Sequence, residues 1–173
     1  MRILLLCTKF SLVENDPWLT NELAEALQLA GHPTTVACLD WSAAANAPTV
    51  ESRTNAGVRV IAMSPMIARS PLAFINKGLK WALSSIQAYR TLRRVLPDES
   101  FDLLIGFSPA VTMALPILML TRKYKCRSFL IQWDFFPFHH QQIGLIASRI
   151  AFHASRIIET ALIRRFDTIG CMS

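Results

Sequence analysis

The chain has 173 residues, a length typical of one domain that buries roughly 70% of its unfolded surface in a single core. Its residues are 52% hydrophobic, yet the longest apolar run, residues 110–120, is interrupted by Pro116, so no segment is predicted to span a membrane. The net charge of +6 favours an anionic partner, which leaves nucleic acid, a membrane surface and a phosphorylated ligand open.

Short β-rich apolar runs alternate with longer helical patterns, which predicts a parallel sheet with helices on both faces. Strands are predicted at residues 2–8, 34–40, 58–63, 101–107, 127–133 and 167–173. Helices are predicted at residues 18–31, 72–96, 109–123 and 143–166, with Gly31 ending the first. Residues 41–57 are turn-prone and are predicted to form a surface loop. The whole chain, 1–173, is expected to form one α/β, Rossmann-like domain.

Right-handed connections between these strands predict the sheet order 3-2-1-4-5-6. In such a sheet, ligands bind where the order reverses, at the carboxyl ends of the strands. Three loops are predicted to meet there, at residues 9–16, 107–109 and 134–140. The candidate catalytic residues are Asp134, His139 and His140. The candidate binding residues are Lys9, Asn15, Ser108 and Phe136 in these loops and Trp133 at the end of the strand before the third loop.

The loop after the first strand, "CTKFSLVENDPWLT", lacks the glycines that a dinucleotide pyrophosphate requires, so NAD and FAD are not predicted and no cofactor is expected. The four cysteines are widely spaced and are predicted to be buried free thiols. No secretion signal precedes the first strand, which favours the cytoplasm. No metal site is predicted, because adjacent histidines rarely point at one ion.

Two residues at the predicted crevice have both a structural and a functional interpretation. Ser108 is predicted to be the N-cap of the next helix, with Pro109 in the first turn, and the free N–H groups of that helix would suit an anion. Asp134 either caps a turn or accepts hydrogen bonds from ligand hydroxyls between the aromatic walls of "WDFFPF".

The helix predicted at residues 72–96 is basic as well as apolar. At 100° per residue, one side carries Lys77, Lys80, Arg90 and Arg94, with Trp81 near the boundary. The opposite side carries apolar residues that include Leu79 and Ala82. Either the charges are simply solvated, or this face contacts anionic lipid head groups. Nucleic acid is the third-ranked partner, because the recognisable binding motifs are missing.

Four stretches together resemble the family 4 glycosyltransferases of the GT-B fold. These are "LTNELAEALQLAGHPTTVACL", "FDLLIGFSPAVTMALPILML", "FLIQWDFFPFHHQQIG" and "ALIRRFDTIGCMS". Gly31, His32, Asp134, Pro137 and Ser173 match family positions. The chain departs from the family pattern at "ENDPW", at Trp133 and at Phe138.

The resemblance implies an amino-terminal, acceptor-binding half of a retaining enzyme, peripheral on the inner face of the plasma membrane. A second domain, in cis or in trans, would bind the nucleotide-sugar, so the isolated chain is expected to be inactive. The acceptor would be a glycan or a lipid-linked sugar, oriented by Asp134 with His139 or His140. Two alternatives are a non-catalytic membrane-tethering subunit of a split glycosyltransferase and an unrelated Rossmann-like anion-binding protein.

Overall fold

The computed structural model describes residues 1–13, 17–67 and 73–171, except for the side chains of residues 73–75 and 77. Its strands are β1 (Ile3–Cys7), β2 (Thr34–Leu39), β3 (Val50–Arg53), β4 (Arg59–Met63), β5 (Leu103–Phe107), β6 (Arg127–Gln132) and β7 (Thr168–Cys171). Its α-helices are α1 (Leu19–Leu29), α2 (Ala73–Val95), α3 (Ala114–Tyr124), α4 (Phe138–Gln142) and α5 (Arg149–Ile163). A short 3-10 helix, Ala110–Met113, precedes α3.

The strands form one sheet in the order β3-β4-β2-β1-β5-β6-β7. All pairs except β3 with β4 are parallel. The six strands predicted from the sequence therefore lie in the predicted order, and the α/β Rossmann-like fold class is confirmed. The carboxyl ends of β1, β5 and β6 are neighbours, as the site prediction requires.

The strand β3 corrects the prediction of a loop at residues 41–57. It is short and largely exposed, and it pairs antiparallel with β4 at the edge of the sheet. Its Glu51 carboxylate accepts hydrogen bonds from the Arg59 guanidinium, and the nearest contact is 2.7 Å. Charged side chains are typical of sheet edges because they discourage pairing with another chain. Since these residues face solvent, the sequence carries no apolar alternation that would mark a strand.

Helices cover both faces of the sheet, as predicted. The first face is covered by α1, whose Ala24 packs with Val36 of β2. The second face is covered by α2, α3 and α5, whose Leu92, Leu120 and Leu162 share a core cluster with the strands. The first helix ends at Leu29, and Gly31 follows it with a φ of +84°, which favours glycine and agrees with its predicted role.

The buried face of α2 differs from the predicted one. Ser84, Ser85, Ala88 and Leu92 face the core, while Leu79 is exposed. The two serines are buried because they serve the backbone of neighbouring segments. Ser84 Oγ accepts from the N–H of residue 66 at 2.8 Å, and Ser85 Oγ accepts from the N–H of residue 115 at 2.9 Å. A prediction from hydrophobicity places serine on the solvent side, so it identifies the wrong side of α2 as the buried one.

The helix predicted at residues 143–166 is shorter than expected. It begins only at Arg149, after the one-turn helix α4 and a loop at residues 143–148. Ser148 is its N-cap, because the Ser148 hydroxyl accepts a hydrogen bond from the N–H of Ala151 at 3.3 Å. Gly144 in the loop has a φ of +77°, which ends the preceding helical turn.

All four cysteines are free, as predicted, but only the two at the centre of the sheet are buried. Cys7 and Cys38 are free and buried side by side on β1 and β2. Cys126 is half-buried, and Cys171 is exposed because β7 is the last strand of the sheet.

Asp167 joins the end of α5 to β6 and gives the fold a testable pH dependence. Its carboxylate accepts hydrogen bonds from the Ser128 N–H at 2.7 Å and the Ser128 hydroxyl at 2.8 Å, and these bonds lower its pKa. A carboxylate whose pKa is lowered in the folded state stabilises the protein at pH values above its unfolded-state pKa. This stabilisation is lost as the pH falls through the folded-state pKa.

We expect Asp167→Asn to lower the free energy of unfolding by no more than about 1 kcal/mol at neutral pH, because the residue is exposed. Urea unfolding from pH 7 to pH 3 should show that the difference between wild type and variant shrinks in acid; a constant difference would contradict this account.

Candidate functional site

A cavity of about 610 Å³ lies at the carboxyl end of β6. It is lined by Trp133, Asp134, Phe135, Phe138, His139 and Gln142. One carboxylate therefore sits among three aromatic rings, at the edge of the sheet where the strand order predicted a ligand. Such a cavity can accept hydrogen bonds from ligand hydroxyls while its rings cover an apolar face of the same ligand.

Asp134 is half-buried and has an imidazole behind it. Its Oδ2 lies 3.7 Å from His140 Nδ1, and the His140 ring packs edge-on against Phe136 at 5.1 Å. His139 is exposed and lines the cavity. The two adjacent histidines thus take different places, His140 beside the carboxylate and His139 on the cavity wall. A protonated His140 would form an ion pair with the Asp134 carboxylate at this distance.

Ser108 holds the loop that carries Asp134. Its hydroxyl oxygen accepts hydrogen bonds from the N–H of Trp133 at 3.1 Å and of Asp134 at 3.0 Å, and its carbonyl accepts from the Trp133 indole at 2.8 Å. The prediction that Ser108 is a helix N-cap is wrong: Pro109 precedes the 3-10 helix, with no side-chain cap from Ser108. Ser108 is only 3% exposed and does not line the cavity; it holds Asp134 in position by accepting the hydrogen bond from the Asp134 N–H.

We expect Ser108→Ala to lower the free energy of unfolding by about 1–3 kcal/mol, because two partly buried N–H groups would lose their acceptor. Urea denaturation measures the change. The matched control is Ser100→Ala at an exposed position, where we expect a change within about 0.5 kcal/mol. Equal effects of the two substitutions would contradict the role of the Ser108 hydroxyl.

Glu159 of α5 is a residue of the site region that the sequence analysis missed. It is 2% exposed, and its two carboxylate oxygens accept from the N–H of Ala110 at 2.7 Å and of Val111 at 2.9 Å. Burial raises the pKa of Glu159, and the nearby charge of Asp134 raises it further. The carboxylate therefore occupies the helix start that was predicted to be free for an anion. The sequence does contain one sign of this role, because Glu159 is the one acidic residue of a helix that is otherwise basic and apolar and lies on its inward side.

Phe136 lies in the core, and the half-buried Trp81 packs against it. Phe136 is 5% exposed and packs with Ile146 and Phe152. The Trp81 ring packs edge-on against Phe136 at 5.5 Å. Phe136 therefore does not wall the binding site as predicted, because it is buried between α2 and the segment after β6. Trp81 is half-buried beside it, and its place at the border of a lipid-facing surface stays a prediction. Trp133 does line the cavity, with its ring 4.8 Å from that of Phe107.

The loop after β1 is held to the start of α1. Thr20 Oγ1 donates to the carbonyl of Lys9 at 2.6 Å, and the Asn21 side chain bonds both the N–H and the carbonyl of Ser11. Lys9 is exposed, and its ammonium lies 3.0 Å from the centre of the Trp18 ring. Lys9 is therefore at the predicted edge of the sheet but does not line the cavity beside Asp134. The predicted Asn15 lies outside the described residues.

The basic residues of α2 lie at different ends of the helix. Lys80 is half-buried with its ammonium 4.9 Å from the Trp41 ring centre, at the end of the helix nearer the cavity. Arg90 and Arg94 are exposed in the last turns, which lead to the amino end of β5 and therefore lie at the far end of the sheet. The side chain of Lys77 lies outside the described part of the structure.

Two further classes of site, a metal centre and a membrane-spanning helix, are absent from the described residues. Within residues 1–13, 17–67 and 73–171, no three His, Cys, Asp or Glu side chains are grouped so as to hold a metal ion. Across the same ranges, no helix has the length and apolar character needed to cross a bilayer.

Solved structures share this fold over most of the chain. Sucrose-phosphate synthase from Thermosynechococcus elongatus matches 98% of the chain with a TM-score of 0.61 and 14% identity. The catalytic domain of starch synthase IV from Arabidopsis thaliana, bound to ADP and acarbose, matches 78% with a TM-score of 0.50 and 14% identity. The chain spans 42% of the first protein and 34% of the second.

The fold and its strand order define the class of protein as a Rossmann-like α/β domain, the fold that these two glycosyltransferase structures share. The pattern of the glycosyl transferase 4-like domain matches residues 18–173, and the chain belongs to this family. The resemblance to family 4 enzymes is thereby confirmed. No curated protein matches the chain.

Proposed function

We propose that this chain is the acceptor-binding half of a retaining glycosyltransferase that transfers a sugar from a nucleotide-sugar to a lipid-linked or polysaccharide acceptor. The observation that carries the proposal is the Asp134 carboxylate, half-buried in an aromatic-lined cavity at the carboxyl end of β6, in a chain of the glycosyl transferase 4-like family. A second domain, in the same chain or in another subunit, supplies the nucleotide-sugar. The enzyme works at the cytoplasmic face of the plasma membrane.

In this proposal Asp134 positions the acceptor. Its carboxylate accepts a hydrogen bond from the reacting hydroxyl, which raises the fraction of bound acceptor that is aligned for attack. His140 holds the carboxylate from behind, while Trp133, Phe135 and Phe138 cover the apolar face of the acceptor sugar. Asp134 holds the hydroxyl in the bound acceptor; as the hydroxyl oxygen bonds to the anomeric carbon, its proton shifts to the donor phosphate that leaves on the same face, so the proposal needs neither a protein base nor a protein nucleophile.

The test uses the complete enzyme that contains this domain, with radiolabelled nucleotide-sugars and a lipid extract as the acceptor source. The expected result is label in a lipid-linked or polymeric glycan, and no transfer by the 173-residue chain alone. Label released only as free sugar, across all nucleotide-sugars, would contradict acceptor binding by this domain.

A further inference from the structure

The helix α5 presents an unpartnered outward face with two parallel stripes. Its inward side is anchored by Phe152, Glu159 and Leu162. The outward side carries an apolar stripe at spacings of three and four residues, formed by Ile150, Ala154, Ile157 and Ala161. Ile150 is 83% exposed and Ile157 is 66% exposed. A soluble helix normally places such side chains inward, so this stripe suggests a binding surface.

The second stripe is basic and runs beside the first. It consists of Arg149, His153, Arg156 and Arg164, all exposed. The one acidic residue of α5, Glu159, is buried and bonded to the backbone of residues 110 and 111. The outward face of α5 therefore carries positive charge and no carboxylate.

Exposed apolar residues also continue from α5 toward the cavity. Phe138, Ile143 and Leu145 are each more than half exposed, in the segment between β6 and α5. The Phe138 ring contacts that of Phe152 at 5.3 Å and lines the cavity beside Asp134. The Phe138 ring thus joins the cavity to the buried side of α5, while the exposed Ile143 and Leu145 lie in the chain segment that leads from the cavity to the first turn of α5, where Ile150 lies.

We propose that the outward face of α5 docks onto an anionic lipid bilayer, with the isoleucines at the boundary of the acyl chains and the arginines at the lipid phosphates. An apolar stripe beside a basic one is the pattern of helices that lie in the membrane interface. The phosphates of anionic lipids complement the arginines, and the acyl region accepts the isoleucines. This inference rests on the proposed function, since it would bring a lipid-linked acceptor to the cavity.

Other occupants fit the face less well. A second copy of the chain meeting the same face would bring its arginines against those of the first, which is repulsive. Nucleic acid would neutralise the arginines but would leave the isoleucines without an apolar partner. The exposed arginines of α2, Arg90 and Arg94, lie at the end of the sheet away from the cavity.

The experiment is flotation of the 173-residue chain with vesicles of phosphatidylcholine, with and without phosphatidylglycerol. We expect salt-sensitive binding that requires phosphatidylglycerol and falls at least about fivefold in the Ile150→Ser, Ile157→Ser double variant and in Arg156→Glu. Matched controls are Leu29→Ser, a residue 77% exposed on α1 across the sheet, and Arg94→Glu on α2. Both controls should float like wild type, and circular dichroism checks that every variant is folded.

Several results would overturn the inference. These are absence of binding, binding unchanged in the α5 variants, and losses of equal size in the controls. A concentration-dependent dimer that the double serine variant abolishes would assign the face to a second copy of the chain. If the complete enzyme transfers sugar but the chain does not bind vesicles, the docking inference fails while the proposed function stands.

Discussion

Replacing Glu159 with alanine is expected to lower the free energy of unfolding by about 2–4 kcal/mol, one of the two largest effects we predict. The carboxylate is the acceptor for two backbone N–H groups at the start of the 3-10 helix, at 2.7 and 2.9 Å. Its removal leaves the buried N–H of Ala110 and the partly buried N–H of Val111 without their acceptor. Urea unfolding followed by circular dichroism measures the change.

The pH dependence of a Glu159→Gln variant separates the carboxylate from simple packing. Because the folded-state pKa of Glu159 is raised above its ordinary value of 4.5, its contribution to stability is largest below that value and declines as the pH rises through the folded pKa. The gap between wild type and Glu159→Gln should therefore narrow as the pH is raised. Glu22→Gln, at an exposed position of α1, is the control, with an expected change within about 0.5 kcal/mol. A wild-type advantage that grows with pH would contradict the raised pKa.

Replacing Asp134 with asparagine in the complete enzyme is expected to reduce turnover at least about tenfold, because the acceptor hydroxyl loses its charged acceptor. Asparagine keeps the volume of the side chain, and the backbone bond from residue 134 to the Ser108 hydroxyl does not involve the carboxylate. The loss should therefore appear without unfolding. Steady-state transfer rates, with thermal unfolding as a check of the fold, measure the effect.

The matched control for Asp134→Asn is Asp98→Asn. Asp98 is exposed between α2 and β5, at the amino ends of the strands and therefore away from the cavity. We expect its substitution to leave turnover within about twofold of wild type. Unchanged turnover in Asp134→Asn, or an equal loss in Asp98→Asn, would remove Asp134 from the proposed mechanism.

The features that the sequence predicted well are those set by periodicity and chain connection. The buried parallel strands are continuous apolar runs, and right-handed connections fix their order once they are identified. The same order placed Asp134, two residues after the end of β6, at the edge where the cavity lies. Its position followed from topology, while its chemical role in this protein is a proposal.

The features that the sequence missed depend on contacts between distant residues. Glu159 lies 49 residues from the Ala110 N–H that it binds, and helical periodicity alone does not reveal a backbone partner. Ser84 and Ser85 are polar, yet they form the inward side of α2 for the same reason. Phe136 follows the pattern of a wall residue, but tertiary packing turns it into the core beside Ile146.

The most direct test of acceptor binding at this cavity measures acceptor and donor separately in the complete enzyme that carries Asp134→Asn. The account predicts that acceptor kcat/KM falls at least about tenfold while the Kd of the nucleotide-sugar, measured by calorimetry, stays within about twofold. Loss of nucleotide-sugar affinity with unchanged acceptor kinetics would contradict it, since the cavity would then serve the donor.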